Sequence, residues 1–214
     1  FFLKHWRKTH PKVKKKGPFR YAFHVIFRPF DGFWDLQREN RGSLKTGLLL
    51  IGLAGVALIF QTQVTGFIFN PTKPEEANFL IDLATLFAPL LLWVVSSWCV
   101  TSLMEGEGSF KTIVMASGYA LTPMVILLPI ASLISNVMTQ TEGAIYYFLV
   151  ALAYIWMAGL MIASVRQIHN YSMGKALFVI LITLVVILII VFVILLCTAL
   201  LQQMVAFFAD IYSE

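Results

Sequence analysis

Five stretches of this chain, residues 46–72, 83–104, 112–141, 143–165 and 176–209, contain no Asp, Glu, Lys or Arg. A helix that crosses the hydrocarbon of a bilayer needs about 20 mainly apolar residues, and each stretch reaches that length. Backbone amides inside a bilayer must be paired within their own segment, so helix is the predicted state. The apolar and polar alternation of a membrane β-barrel is absent. The pattern predicts an all-α fold, a polytopic membrane bundle of five transmembrane helices.

Ahead of the first stretch the period changes. Phe19, Phe23, Ile26, Phe27 and Phe30 recur at helical spacing, with Arg20, His24 and Arg28 on the opposite stripe. This predicts a basic amphipathic helix lying in the membrane interface, limited by Pro29 and followed by a second short element with Phe33, Trp34 and Leu36. Gly42-Ser43 interrupts it, with Ser43 placed to cap the first span. Three segments result: 1–18 polybasic, 19–44 interfacial and 45–214 the five-helix membrane domain. Phe1-Phe2-Leu3 running into Lys4 reads as the end of an apolar segment cut from a longer protein, so an upstream domain is an expectation.

The loop NPTKPEEAN after the first span is short and acidic, EGEGS offers two glycines for a turn and Ser109 as a cap, and RQIHNYSMGK is equally compact. Pro123 and Pro129 predict a kink or break in the third span, because proline removes an intrahelical hydrogen bond. The fifth stretch would measure about 51 Å as a helix, against about 30 Å of hydrocarbon. Its tail, from Gln202 to Tyr212, is therefore expected to bend onto the interface or extend beyond it. Phe67, Phe69, Tyr146, Tyr147, Phe207, Phe208 and Tyr212 would anchor one membrane boundary.

Composition agrees: 59% of the residues are hydrophobic and 13% charged, with a mean hydropathy of +0.81. The net charge of +5 changes the picture through its distribution. Twelve of the 16 Lys and Arg lie between Lys4 and Lys45, and Lys111, Arg166 and Lys175 fall on the same side, leaving only Lys73 opposite. Such asymmetry puts the N-terminus in the cytoplasm and the C-terminus outside. It also assigns the positive charge to anionic headgroups, at about 1 kcal/mol per basic residue near the surface, and not to nucleic acid. Cys99 and Cys197 fall inside spans, where a thiol behaves as a small apolar group.

Catalytic, cofactor and metal residues are not predicted. The charge-free stretches offer no ionisable group for ion coupling. The four histidines, His5, His10, His24 and His169, show no H-x-x-x-H or cysteine pairing for a metal. Glu105, Glu107 and His169 are the only group an enzyme acting on lipid could use. Packing chemistry is richer. Ala116 and Ala120, Ser97 and Thr101, and Gly159 and Ala163 are small residues four apart, suited to close helix approach. Gly118-Tyr119 with Pro123 four residues beyond, then Pro129, forms a structural motif in the third span, and Tyr119 brings a hydroxyl that needs a partner.

Glycine-tyrosine with a spaced proline in the third span, five spans, short loops and a cytoplasmic N-terminus together resemble the Yip1 family of membrane proteins, from about Arg20 to the C-terminus. The segment PFDGFWDLQRENRGSLK (29–45) is similar to the cytoplasmic entry of bacterial members. It differs from the Asp-Leu-Tyr-Gly-Pro motif of eukaryotic members, with which Rab GTPase binding and Golgi trafficking are associated. The resemblance implies a bacterial plasma-membrane protein that serves as an accessory subunit of a larger assembly. The leading expectation is a non-enzymatic scaffold that binds another membrane protein or forms an oligomer, with Arg20, His24, Arg28, Asp31, Gly32 and Trp34 at its cytoplasmic interface. The alternative is a channel or transporter for an uncharged or lipidic solute, gated at the prolines, with a polar path past Tyr119, Thr122 and Ser132.

Overall fold

The computed structural model describes residues 18–39, 42–70 and 78–213, with side chains from 20 to 208 within them. The polybasic segment, most of the acidic loop after the first span, and the side chains of Phe19 and Tyr212 lie outside the described residues. The helices are α1 (Pro18–Phe27), α2 (Pro29–Arg38), α3 (Leu44–Val64), α4 (Phe79–Leu103), α5 (Phe110–Ala120), α6 (Thr122–Ser135), α7 (Gly143–Ile168) and α8 (Met173–Ser213), with a 3-10 turn at Gln140–Glu142. Among the described residues there is no strand. Five helices are long and apolar enough to cross a membrane: α3, α4, α5 with α6, α7 and α8. The chain is an integral membrane protein. Its α1, α2, α4–α5 turn and α7–α8 turn share one end, here the basic end, which carries Arg20, Arg28, Arg38, Lys45, Lys111, Arg166 and Lys175.

The third span forms the centre, packed between α3 and α7 along both its halves. It breaks at Leu121, whose N–H still bonds back to the Ser117 carbonyl at 3.2 Å before the Met124 N–H starts a new turn on the Leu121 carbonyl at 3.0 Å. Pro123 lies in the first turn of α6, where its missing N–H costs nothing. Pro129 is accommodated inside α6 without ending it, so only the first proline coincides with the break. A third, Pro89, sits inside α4.

The tail of the fifth span takes the second of its two expected courses and extends without bending: α8 runs as one helix to Ser213. Its 41 residues correspond to about 60 Å of helix. Asp82 belongs to the first turn of α4, so the second span does contain an ionisable group, whose carboxylate accepts the Thr62 hydroxyl at 2.8 Å. Phe69 and Tyr146 are buried and stacked on each other at 5.4 Å, not turned to the headgroups. Gly159 is exposed with nothing within 4 Å of a Cβ built on it, so it mediates no close approach.

Opposite the basic end, polar side chains tie the termini of α3 and α6 together. The Thr65 hydroxyl donates to Ser132 Oγ at 3.2 Å, the Gly66 N–H donates to Ser135 Oγ at 2.8 Å, and Asn136 Nδ2 donates to the Val64 carbonyl at 2.7 Å. The last turn of α3 thus has its Val64 carbonyl satisfied by Asn136 and its Thr62 carbonyl by Asn70 Nδ2 at 2.8 Å.

Candidate interaction site at the basic end

α3 and α5 approach each other backbone to backbone. A Cβ on Gly118 would strike the carbonyl oxygen of Gly47, and one on Gly47 would stand 3.0 Å from Met115 Cα. Two glycines thus let the backbones touch, the device by which membrane helices gain dispersion contacts without a hydrophobic driving force between them. The approach carries Tyr119 with it, 1% exposed, among Ala116, Ala120 and Leu50. Its hydroxyl accepts the Ser43 N–H at 3.4 Å. Ser43 is indeed the N-cap residue of α3, but its side chain makes no capping bond.

Over Tyr119 lies the α1–α2 hairpin. The Tyr21 ring meets Tyr119 edge to face, with centroids 5.5 Å apart and planes at 86°, a favourable geometry for the ring quadrupoles. The Tyr21 hydroxyl donates to the Gly32 carbonyl at 2.6 Å and closes the hairpin. Gly32 is required by packing, since a Cβ there would sit 2.9 Å from Val25 Cγ2 and 3.1 Å from Val25 Cα. The protein-facing side of α1 is therefore Tyr21, Ala22, Val25 and Ile26. Phe23, Phe27 and Phe30 point outward at 53, 74 and 43% exposure. So α1 is apolar on two sides, one for the bundle and one for the surroundings, and a single-stripe reading of its periodicity merged Ile26 of the first with the phenylalanines of the second.

Of the interface residues expected from sequence, Arg20, Arg28 and Asp31 are exposed, His24 and Trp34 are half-buried, and Gly32 is buried inside the hairpin. The hairpin is fastened at both loops of the basic end. Arg38 donates to Glu107 at 2.6 Å, and the Arg166 guanidinium stands 5.0 Å above the Phe30 ring.

The turn after α4 packs against the end of α7. The two glycines of EGEGS do not supply left-handed backbone; Glu105 does, with φ of 58°, and Asn170 does so in the facing turn, with φ of 54°. The glycines serve contact instead. A Cβ on Gly106 would run into His169 and stand 2.8 Å from the Tyr171 hydroxyl, and one on Gly108 would lie 2.6 Å from His169 Cε1. His169 is 3% exposed and stacked on Tyr171 at 5.4 Å. Its Nδ1 accepts the Gly108 N–H at 3.2 Å, which places the ring proton on Nε2. Burial lowers its pKa from 6.5 to about 4. Tyr171 donates to the Met104 carbonyl at 3.0 Å; burial, then the charge of Glu105, raises its pKa.

This arrangement has little to offer catalysis. The Glu105 and Glu107 side chains are exposed while His169 is buried, and Glu107 is engaged with Arg38. Among the described residues no three His, Cys, Asp or Glu side chains are gathered as a metal would require. What the basic end does provide is a platform, with seven exposed or half-buried cations around a hairpin whose outer face is aromatic. Sequence reasoning missed Gly47 and Tyr21. The signal for Gly47 was a lone glycine just inside a helix, and for Tyr21 a polar-tipped aromatic on the flank of the stripe.

No match is found among curated proteins or among solved structures. Residues 23–195 match the family model of the Yip1 domain, from the middle of α1 to well inside α8. That match takes in the hairpin from Phe23 onward, the Gly47–Gly118 approach and both turns of the basic end, and the chain belongs to the Yip1 domain family.

Proposed function

We propose that the protein is a non-enzymatic membrane scaffold or accessory subunit that binds another membrane protein or complex, such as a transport assembly, in the plasma membrane of a bacterium. The observation that carries this reading is the fifth span. Among the described side chains of α8 only Ala176, Val179 and Thr183 are buried. From Leu184 to Phe208 most of its side chains are exposed, so its own bundle leaves a long apolar face to be covered by lipid or by a partner helix, and this span is the least buried of the five. The positive-inside asymmetry supports a cytoplasmic basic end, with the C-terminus outside. In that orientation Arg20 and Arg28 meet anionic headgroups while Phe23 and Phe27 enter the interface. His24, Asp31 and Trp34 lie on the same hairpin, on the side from which such a partner would approach.

Extraction in mild detergent followed by native mass spectrometry tests the proposal. The expected result is a mass exceeding one chain, with a second membrane protein or a further copy. A lone, monodisperse monomer overturns it. The transporter alternative loses support from the polar path it required, since Tyr119, Thr122 and Ser132 are buried and their hydroxyls are hydrogen-bonded inside the fold. Its lipidic form keeps one favourable feature, an apolar cavity beside α8, and solute flux through proteoliposomes would establish it.

A further inference from the structure

A cavity of about 750 Å³ lies between α4, α7 and α8, with the break of the third span beneath it. It is about five times the volume of an engineered apolar cavity that stays dry and binds benzene, and it falls within the usual range of ligand pockets. Its origin is local. α8 is held to its neighbours through Ala176, Val179 and Thr183, all near its first turns, and farther along none of its described residues is buried. Pro89 interrupts the hydrogen-bond ladder of α4 on one wall. Ala158 leaves the α7 wall shallow, and Met124 belongs to the turn that restarts the third span.

Every lining residue belongs to a membrane-spanning helix, and the lining is almost wholly apolar. Two hydroxyls reach it. Thr85 donates to the Ile81 carbonyl at 2.9 Å. Tyr154 has no hydrogen-bond partner among the described residues, and its side chain leans toward the start of α7, away from the basic end. Size decides what fits. An α-helix with its side chains is about 10 Å across, a bulk that a recess bounded by α4, α7 and α8 and floored by Leu121 and Met124 receives only from its open side. A slender hydrocarbon chain meets no such limit.

The geometry points to a binding site for one acyl chain of a membrane lipid, tail against Trp93 and Met124 and ester end toward the Tyr154 hydroxyl. The chain enters from the leaflet opposite the basic end, because Tyr154 leans that way while Trp93 lies deeper along α4. The lipid is held between helices, distinct from the freely exchanging lipid around the bundle, since the α4, α7 and α8 walls enclose it on three sides. This site stands independently of the scaffold reading. A retained lipid and a retained protein appear as separate mass increments, so either can fail alone.

The test uses the full chain, purified from membranes containing a phospholipid with a diazirine at the end of one acyl chain, irradiated, digested and mapped by mass spectrometry. One lipid per chain should survive detergent exchange, with crosslinks at Trp93, Met124 or their neighbours. Ala158→Trp, which fills the cavity from α7, should lower that yield at least five-fold. Leu184→Trp fills it from the opposite wall, on a helix face that folding does not bury, and should do the same. Ile155→Trp, on an exposed position outside the cavity, should leave the yield unchanged. No retained lipid in the wild-type chain overturns the proposal. So does equal labelling in Leu184→Trp and Ile155→Trp, the signature of annular lipid only.

Discussion

The third and fifth spans are both apolar helices able to cross a membrane, yet the protein buries 67% of an 18-residue apolar stretch of the first and 11% of such a stretch of the second. Their hydropathies run the other way, 1.9 for the buried helix and 3.8 for the exposed one. The buried span carries Ser117, Gly118, Tyr119, Thr122, Ser132 and Ser135, whereas α8 is a run of Leu, Ile, Val and Phe. In water this order would be perverse. In lipid it follows, because hydrocarbon solvates leucine as well as a protein interior does, leaving close packing and hydrogen bonds to choose the interior. Greasiness therefore marks the rim of this molecule, and small or hydroxyl-bearing residues mark its centre.

Adding one carbon at the centre should do the most damage. Gly118→Ala puts a methyl group against the Gly47 carbonyl, and backbone cannot swing aside as a flexible side chain could. The expected cost is about 3 kcal/mol or more, at the upper end for overpacking. Thermal unfolding in detergent measures it. The same change at Gly159, where a Cβ meets nothing within 4 Å, should be neutral or stabilise by up to about 1 kcal/mol through helix propensity. Equal losses at both glycines would mean that the α3–α5 crossing is looser than described.

The contrast also separates what the sequence could and could not disclose. The five spans were legible because the bilayer imposes length and apolarity on each segment separately, and those are local properties. Gly118 and Tyr119 drew notice for the same reason, as an odd pair in an apolar run. Gly47 did not, because the need for a second glycine is created by the crossing of two helices far apart in sequence. The double-sided burial of α1 escaped likewise: its stripe of phenylalanines is visible along one helix, but Val25 against Gly32 becomes a contact only once α1 and α2 fold together. Asp82 was assigned outside its span because a charge was taken to end an apolar run, whereas Thr62 of α3 supplies the hydrogen bond that keeps it in α4.

Next in size is the pH response of the basic end. His169 is neutral when folded, with a pKa near 4 against 6.5 when unfolded. Between those values the unfolded chain holds more protons, so stability is complete above pH 6.5, declines as pH falls, and levels off below about 4. The gap corresponds to about 3 kcal/mol. Unfolding of the wild type followed from pH 7 to pH 4 should show this loss. His169→Gln, which can still accept the Gly108 N–H, should remove most of the slope. Glu105, Glu107 and Tyr171 are common to both proteins, so the difference isolates the ring. A slope identical in the two would mean that His169 is hydrated and ordinary.

Smaller again is the hydroxyl that joins the third span to the entry of the first. Tyr119→Phe leaves the Tyr21 ring contact intact and orphans the Ser43 N–H, which should cost about 1 kcal/mol in the same unfolding assay. Tyr21→Phe, which opens the bond to the Gly32 carbonyl, belongs to the same class. A cost near zero at both positions would assign the hairpin's attachment to its apolar contacts alone.

The smallest effect on folding should come from the greasiest helix. Leu188 and Phe192 are 69 and 64% exposed on α8, so replacing both by alanine exchanges contacts with lipid for contacts with lipid. Stability should stay within about 0.5 kcal/mol of wild type. If α8 is the docking helix, however, the same double variant removes side chains that a partner would pack against, and the partner mass in native spectra should fall several-fold while the monomer unfolds as before. That dissociation of the two readouts is what the comparison of spans demands, since α8 contributes little to its own bundle beyond Thr183. A loss of stability matching the loss of partner would instead tie α8 into the fold and leave the exposed surface without a role in association.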